Sequence, residues 1–289
     1  MPRNGAAEVM NQVFSAVIMG IVQGLTEFLP VSSSGHLALL GALFDLGESA
    51  LTLSVMLHAG TLAAVCVAYR KDIVEILKDL QSFARSLAGT NVQPEQKPGR
   101  GLRILSLVFV SLIPLFVVFP LQGYIESAFS STVIVGCLLL VTAGLLLLAD
   151  GLAARPGQNK DVGTTGWKDA LVVGLFQIAA LLPGISRSGA TITGGFLRRF
   201  KREYAVKFSF LMSVPTVLAA LLLDVIDILG GGMEPELLLG GLVGMVVSGV
   251  TGYFAIGMVK RIAKTGKFAP FSVWCAAVGI VTVIVSVVR

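Results

Sequence analysis

The sequence predicts an all-α polytopic membrane protein, with six transmembrane helices and two re-entrant helical hairpins arranged as an inverted-topology repeat. Composition is the first reason: 55% of the 289 residues are hydrophobic and 13% are charged, whereas soluble domains carry about 25% charged residues. A series of long apolar stretches and an internal repeat supply the arrangement. We expect one membrane domain over 1–289, with a first repeat at about 10–149 and a second at about 165–289.

Six apolar stretches are long enough to cross about 30 Å of hydrocarbon as helices. They lie at 51–69, 104–120, 133–149, 208–223, 237–259 and 269–288. An amphipathic surface helix is expected over 71–87, followed by a loose loop over 89–101. Small residues at four-residue spacing in the fifth crossing predict close helix packing or a dimer face; they are Gly240, Gly244, Ser248 and Gly252.

Two further apolar stretches, 13–29 and 167–183, each run into a break rich in Pro, Ser and Gly. Pro30 has no N–H and disfavours helix at the residue before it, so the first helix should end there. We expect a flexible serine turn next and a second helix starting near His36. Non-helical backbone is tolerated at membrane depth only where protein or a polar cavity surrounds it. The breaks therefore predict hairpins rather than simple crossings.

Loop charges predict the orientation. Lys and Arg are concentrated in 70–103, 150–169, 198–207 and 260–267, whereas the loops 121–132 and 224–236 contain neither. The positive-inside rule places the basic loops in the cytoplasm. Both termini and the first hairpin then lie outside, and the second hairpin enters from the cytoplasm. The net charge of +5 fits this distribution and does not indicate nucleic-acid binding.

The first break recurs at the second with a constant separation. Five pairs lie 154 positions apart: Gly20 and Gly174, Gln23 and Gln177, Ser32 and Ser186, Ser34 and Ser188, Gly35 and Gly189. A second set lies 155 positions apart and links Ser54, Thr61 and Ala64 with Ser209, Thr216 and Ala219. Each half contains three crossings, and an odd number reverses the direction of the second half. Inverted repeats of this kind bring broken-helix tips together near the midplane.

The two breaks carry different chemical groups. The first has a carboxylate, a hydroxyl and an imidazole where the second has an apolar chain, a guanidinium and a methyl group: Glu27 and Leu181, Ser33 and Arg187, His36 and Ala190. A guanidinium beside a Ser/Gly turn suits bidentate binding of a phosphate. The alternative for Arg187 is a structural ion pair with Glu27.

Each candidate in the first break has more than one interpretation. Glu27 is a ligand for a divalent cation, a general base, or a protonated carboxyl bonded to the facing turn. His36 is a general acid, a nucleophile, or a residue that only starts a helix. Ser33 is a nucleophile or a phosphate ligand, while Ser32 and Ser34 suit capping and turn positions. His58 lies in a full crossing without a companion motif, which favours a structural role.

The two breaks resemble the signatures of a known family. G-x-x-Q-G-x-T-E-F-L-P-V-S-S-S-G-H at 20–36 and P-G-x-S-R-S-G-A-T at 183–191 are similar to the motifs of the undecaprenyl-pyrophosphate phosphatases of the bacitracin-resistance type. The resemblance implies dephosphorylation of a C55 isoprenyl pyrophosphate carrier to its monophosphate, with Mg²⁺ or Ca²⁺. It implies the bacterial plasma membrane as location, with the site facing outside, and recycling of the carrier for cell-wall synthesis.

The resemblance also implies functional residues. Catalytic roles are expected for Glu27, Ser33, His36 and Arg187, with Glu27 as the metal ligand. We expect substrate binding by Gln23, Ser32, Ser34, Gly35, Ser186, Ser188, Gly189 and Thr191. Gln23 stands where the family has Glu or Gln, so Glu27 is the only acid at the break.

The expected partners are a prenyl pyrophosphate lipid, the bilayer and a second copy in a possible homodimer. A transporter or flippase of a phosphorylated prenyl lipid is the alternative function, because inverted repeats and polar tips at the midplane also suit alternating access. The asymmetry of the two breaks favours hydrolysis, since the carboxylate, serine and histidine all belong to the half that enters from outside.

Overall fold

The computed structural model describes residues 5–44, 49–88, 99–118, 120, 122–129, 131–231 and 235–288, and these residues form twelve helices and no strand. The helices are α1 Gly5–Phe28, α2 Ser33–Phe44, α3 Ser49–Ala68, α4 Arg70–Leu87, α5 Arg100–Val118, α6 Gln122–Phe129, α7 Thr132–Ala153, α8 Trp167–Ala179, α9 Arg187–Leu197, α10 Arg202–Gly231, α11 Pro235–Thr265 and α12 Ala269–Val288. The predicted all-α class is confirmed.

Long apolar helices confirm a polytopic membrane protein. Five described helices, α5, α7, α10, α11 and α12, are long and apolar enough to span a bilayer. α3 meets this test only together with α4, from which it is bent by 78°, so the number of six spans stays a prediction. α4 has no buried residue and coincides with the helix predicted over 71–87. The loop predicted over 89–101 lies outside the described residues except for its last three.

Both hairpins turn at a serine that caps the second helix. The Oγ of Ser32 accepts the Gly35 N–H at 3.3 Å, and Ser32 takes a left-handed backbone conformation with φ of 69°. α2 consequently begins at Ser33, three residues before the predicted start at His36. The prediction of a flexible serine turn was wrong, because a serine N-cap starts the helix directly after it. In the second hairpin, Ser186 Oγ accepts the Gly189 N–H at 3.1 Å and α9 begins at Arg187.

Each hairpin packs against a helix of the other half. α1 lies along α11, and α8 lies along α5. The small residues of α11 allow the close approach: a Cβ at Gly20 would lie 2.7 Å from the carbonyl oxygen of Gly244, and Ser248 Oγ donates to Leu57 O of α3 at 2.8 Å. Close helix packing by this stripe is thus confirmed, and it occurs within one chain. A homodimer stays a prediction.

Candidate active site

The two breaks meet at an ion pair. Arg187 Nη2 at the start of α9 donates to Glu27 Oε1 near the end of α1 at 2.5 Å. Both side chains are largely buried, with exposed fractions of 15% for Arg187 and 7% for Glu27. The ion pair considered from the sequence is therefore present. It joins residues 160 positions apart and forms one site from the two halves.

The pair lies on the wall of a cavity of about 490 Å³. One part of the wall is polar and consists of Thr26, Glu27, Ser32, Ser33, Ser34, Ser54, His58, Ser186, Arg187 and Thr216. The other part is apolar and includes Met19, Leu37, Phe129, Leu181, Ile185, Val217 and Leu221. A polar head with an apolar chain is the kind of ligand that this two-sided lining suits.

The Glu27 carboxylate accepts hydrogen bonds at both oxygens. Arg187 binds Oε1, while Ser33 Oγ donates to Oε2 at 2.6 Å and Gln23 Nε2 donates to the same oxygen at 3.2 Å. His58 Nε2 lies 3.8 Å from Oε2. A carboxylate bound to a serine hydroxyl in this way is positioned to take its proton when the serine attacks.

Arg187 is held from behind by residues outside the cavity wall. Its Nη1 donates to Ser209 O at 3.5 Å, and Thr191 Oγ1 donates to Arg187 O at 2.8 Å. Thr191 Oγ1 and Ser209 Oγ also share a hydrogen bond of 2.7 Å. Thr191 is buried, so the structure places it behind the guanidinium rather than in the cavity.

His58 was not selected from the sequence, yet it lines the cavity. Its Nδ1 lies 2.8 Å from Ser54 O, one turn earlier in α3. A proton on Nδ1 satisfies that carbonyl and leaves Nε2, on the Glu27 side, with a free lone pair. The signal available in the sequence was a histidine one turn from Ser54, a member of the internal repeat. Periodicity alone does not say which face of α3 meets the break.

His36 lies beside the break but is not part of the cavity wall. Its Nδ1 is 2.8 Å from Ser32 O, and its Nε2 accepts the Trp274 indole N–H at 3.0 Å. The two rings are nearly parallel, with centroids 6.2 Å apart. Both ring nitrogens are thus engaged with α12 and the turn. Its predicted catalytic role stays a prediction.

The remaining predicted residues form the framework under the cavity. Gln23, Gly35, Ser188 and Gly189 are buried and absent from its wall. Ser32 and Ser34 share a hydrogen bond of 3.3 Å, and Ser186 and Ser188 share one of 3.2 Å. The structure therefore brings Glu27, Ser33 and Arg187 together with three turn serines, Ser32, Ser34 and Ser186, on one surface.

The protein oxygens available to a cation are few. Among the described residues, no group of three or more His, Cys, Asp or Glu side chains could hold a metal ion. Gln23 Oε1 is buried beside Glu27 and makes no hydrogen bond to the described residues. The Glu27 carboxylate oxygens on the cavity wall fit a divalent cation that takes its other ligands from substrate phosphates and water. They do not form a complete cage of protein ligands.

A charged cluster anchors the start of the second hairpin. Lys160 Nζ donates to both oxygens of Asp169, at 2.9 and 2.8 Å, and Arg198 Nε donates to Oδ1 at 2.7 Å. The Gly166 N–H donates to Oδ2 at 3.0 Å. Burial raises the pKa of the Asp169 carboxyl, but these hydrogen bonds outweigh it and the pKa lies below its usual value.

Comparisons with known proteins give a consistent result. Residues 16–281 match the family described as bacitracin resistance protein BacA. Among curated proteins, the chain is 36% identical to an undecaprenyl-diphosphatase of Halothermothrix orenii, over 95% of this chain and 98% of the relative. It is 37% identical to one of Methanosphaera stadtmanae, over 96% of this chain and 100% of the relative. It is 39% identical to one of Alkaliphilus metalliredigens, over 94% of this chain and 98% of the relative.

Proposed function

Because the chain belongs to the family of the bacitracin resistance protein BacA, we propose that it hydrolyses undecaprenyl diphosphate to undecaprenyl phosphate and inorganic phosphate. The chain matches relatives named undecaprenyl-diphosphatase, and each match covers nearly the whole length of the relative. One observation carries the proposal: Glu27 lies between the Ser33 hydroxyl at 2.6 Å and the Arg187 guanidinium at 2.5 Å. Nucleophile, base and phosphate-binding cation thus occupy one cavity.

Ser33 is the nucleophile in this mechanism. Its Oγ attacks the terminal phosphorus and its proton passes to Glu27 Oε2, while the bond from phosphorus to the bridging oxygen breaks. Undecaprenyl phosphate leaves with the bridging oxygen. Water then attacks the phosphorus of the phosphoserine and the bond from phosphorus to Ser33 Oγ breaks. Ser33 Oγ takes its proton back from Glu27, and inorganic phosphate leaves with the oxygen and the protons of the water. A carboxylate base beside a serine hydroxyl is a typical way to activate such a nucleophile.

Arg187 and the turn serines bind the diphosphate. The guanidinium has five N–H donors, and only the contacts of Nη2 with Glu27 and of Nη1 with Ser209 O are made to described residues. Its other donors are available to the phosphate oxygens, where charge accumulates during transfer. His58 Nε2 is close enough to Glu27 to exchange the proton that Glu27 receives, directly or through one water.

The apolar part of the cavity accommodates the start of the prenyl chain. Met19, Leu37, Leu181 and Val217 surround the polar wall. Glu27 would hold Mg²⁺ or Ca²⁺ together with substrate oxygens. A bound cation of this kind offsets the charge of the diphosphate.

The site faces the outside of the plasma membrane in this proposal, and the product returns to cell-wall synthesis as a lipid carrier. Phe129 at the end of α6 lines the cavity, and the loop that contains α6 has no Lys or Arg. The halves form an inverted repeat with six crossings and both termini outside. The packing supports this arrangement, because α1 of the first half lies along α11 of the second, and α8 of the second half lies along α5 of the first.

Cysteine labelling tests the orientation. In a background without Cys66, Cys137 and Cys275, a cysteine at Ser127 of α6 should react with a membrane-impermeant maleimide added to whole cells. A cysteine at Arg155, in a basic loop, should react only after the membrane is opened. The reverse labelling pattern would contradict an outward-facing site.

Phosphate release from a prenyl diphosphate by the purified protein tests the activity. Wild type should release phosphate, and a chelator should reduce the rate. Glu27→Gln and Arg187→Ala should each lower kcat/KM by at least about 10²-fold, the loss expected for a base or an electrostatic stabiliser. Extraction and monodispersity like those of wild type are the control for correct insertion.

The transporter remains the second candidate, because the symmetric exchange of hairpin partners also suits alternating access. Wild-type protein that binds the lipid diphosphate but releases no phosphate, with or without cation, would replace hydrolysis by transport.

A further inference from the structure

A second cavity lies where α5 and α10 begin and α11 ends. It has a volume of about 1110 Å³ and is bounded by the start of α5, the loop around Asp161, the start of α10 and the end of α11. Along α10, Lys207 belongs to this cavity and Thr216 to the active-site cavity. At 1.5 Å per helical residue the two are about 14 Å apart along the axis. The loop charges assign this cavity to the cytoplasmic side.

The wall of the second cavity carries an excess of positive charge. Two of the lining residues are acidic, Asp161 and Glu203, and six are basic: Arg100, Arg103, Lys201, Arg202, Lys207 and Lys264. Carboxylates outside the wall pair with two of the basic residues, Arg100 with Glu75 and Lys207 with Asp72, so the excess rests on the other four. A cavity lined by one sign of charge concentrates counter-ions of the other sign.

Two arginines of this wall are held in place by backbone carbonyls rather than by carboxylates. Arg103 donates from Nε to Val162 O at 2.6 Å and from Nη2 to Thr165 O at 3.0 Å. Arg202 donates from Nη2 to Gly266 O at 2.5 Å, and its buried Nε makes no hydrogen bond to the described residues. These contacts orient the guanidinium groups without neutralising them. A buried donor without a partner is costly unless a ligand satisfies it.

The ion pairs between residues of the wall neutralise Lys201 and Lys264 only partly. Lys201 pairs with Asp161 at 2.7 Å and Lys264 with Glu203 at 4.0 Å, and in both pairs the side chains are about half exposed or more. Exposed pairs of this kind contribute about 0–1 kcal/mol, so an anionic ligand can compete for them.

We infer that this cavity binds the phosphate group of an anionic ligand, either the headgroup of an anionic phospholipid or free phosphate. Oriented guanidinium groups bind phosphate through paired N–H donors, and basic pockets between transmembrane helices suit anionic headgroups. The inference concerns residues separate from Glu27, Ser33 and Arg187, and it holds whichever reaction the active-site cavity performs.

Titration of the detergent-solubilised full chain tests this site. The probes are dihexanoyl phosphatidylglycerol, dihexanoyl phosphatidylcholine and sodium phosphate at constant ionic strength. The readout is the thermal unfolding midpoint, which rises when a ligand binds the folded state. We expect phosphatidylglycerol to raise the midpoint of wild type, and the zwitterionic lipid to have no such effect.

A matched pair of variants separates the cavity from general surface charge. Lys201→Gln with Lys264→Gln removes two charges from the wall, whereas Arg155→Gln with Arg261→Gln removes two exposed charges outside it. The half-saturating concentration should rise about 25-fold in the first variant, since each basic side chain contributes a factor of about five, and stay near wild type in the second. The midpoint without ligand shows whether each variant is folded.

Each outcome decides the inference. One outcome is that sodium phosphate raises the unfolding midpoint as much as phosphatidylglycerol does, with a weaker effect in the Lys201→Gln, Lys264→Gln variant. That result supports phosphate binding in the cavity and assigns the free anion as ligand. No shift with either probe, or equal losses in both variants, overturns the inference.

Discussion

The two breaks of this chain share a scaffold and differ in chemistry. In each, a serine caps the second helix by accepting the N–H three residues later, at 3.3 Å in the first break and 3.1 Å in the second. In each, that serine also bonds to a serine two residues on, at 3.3 and 3.2 Å. The buried glutamines correspond too, because Gln23 and Gln177 both have an Oε1 without a hydrogen bond to the described residues.

The difference between the breaks is concentrated in the groups that meet. The first break contributes Glu27 and Ser33, and the second contributes Arg187, which stands at the position equivalent to Ser33. Neither break alone contributes a carboxylate, a hydroxyl and a guanidinium. The positions that the two breaks share thus account for the geometry of the turns, and the few positions at which they differ account for the chemistry. Substitutions in and near the two breaks test whether the residues that shape the turns and the residues that carry the chemistry have these separate roles.

The largest effect is expected at Ser33. Ser33→Ala removes the hydroxyl bound to Glu27 and should lower kcat about 10³-fold or more, because the nucleophile and its proton transfer are both lost. Ser34→Ala is the matched comparison, since Ser34 Oγ bonds only to Ser32 Oγ among the described contacts. Because Ser34 is a turn serine proposed to bind the diphosphate, this variant should have a raised KM, while its kcat should fall less than about tenfold. Initial rates of phosphate release measure both. A Ser33→Ala variant that retained a tenth of wild-type kcat would exclude Ser33 as the nucleophile.

A smaller loss is expected for Arg187→Lys. Lysine keeps the charge but not the planar fork that contacts Glu27 and Ser209 O together, so kcat/KM should fall about 10- to 100-fold. Arg198→Lys is the control: Arg198 also pairs with a carboxylate, but with Asp169 outside the cavity. If both variants had wild-type kinetics, the guanidinium of Arg187 would have no special role in phosphate binding.

The two histidines should respond differently. His58→Gln removes the group 3.8 Å from Glu27 and should lower kcat about tenfold or more at an unchanged unfolding midpoint. His36→Gln breaks the contacts with Ser32 O and Trp274 and should lower the unfolding midpoint together with the activity. Parallel thermal unfolding and steady-state kinetics separate these effects. A normal midpoint with lost activity in His36→Gln would instead support the catalytic role predicted for His36.

Much of the site followed from the sequence because its positions are marked by local rules. Pro30 predicted the end of the first helix, and the serines of each break suited caps of the helices that follow. The constant separation of 154 positions identified the two breaks as a pair. The ion pair between Glu27 and Arg187 was the alternative interpretation of Arg187, beside phosphate binding, and it depended on placing the two tips together. These signals depend on neighbouring residues or on the repeat, both of which one sequence contains.

The positions of the two histidines did not follow. His36 belongs to the motif, yet the cap at Ser32 starts α2 early and directs its ring toward Trp274, 238 positions away. His58 lies in α3, whose rotation is set by packing against α10 and α11. Helix rotation depends on contacts between distant segments, so periodicity within α3 could not determine it. The orientation of a helix face was thus the information missing from the sequence.

The smallest effect on catalysis is expected at Asp169, which anchors the second hairpin by its charged cluster. Asp169→Asn leaves Lys160 and Arg198 without their carboxylate and should cost about 1–3 kcal/mol of stability, with kcat within about threefold of wild type. Because the pKa of Asp169 is lowered in the folded protein, its contribution is present above the unfolded pKa of about 3.9. It is lost as pH falls through the folded pKa.

Thermal unfolding between pH 7 and pH 3 checks this prediction. The difference in midpoint between wild type and Asp169→Asn should be largest at neutral pH and narrow toward the acid end. Asp161→Asn is the control, because the Asp161 pair with Lys201 is about half exposed and should change the midpoint little. A difference that stayed constant across the pH range would show that packing of the Asp169 side chain, rather than its charge, holds the second hairpin in the position that presents Arg187 to Glu27.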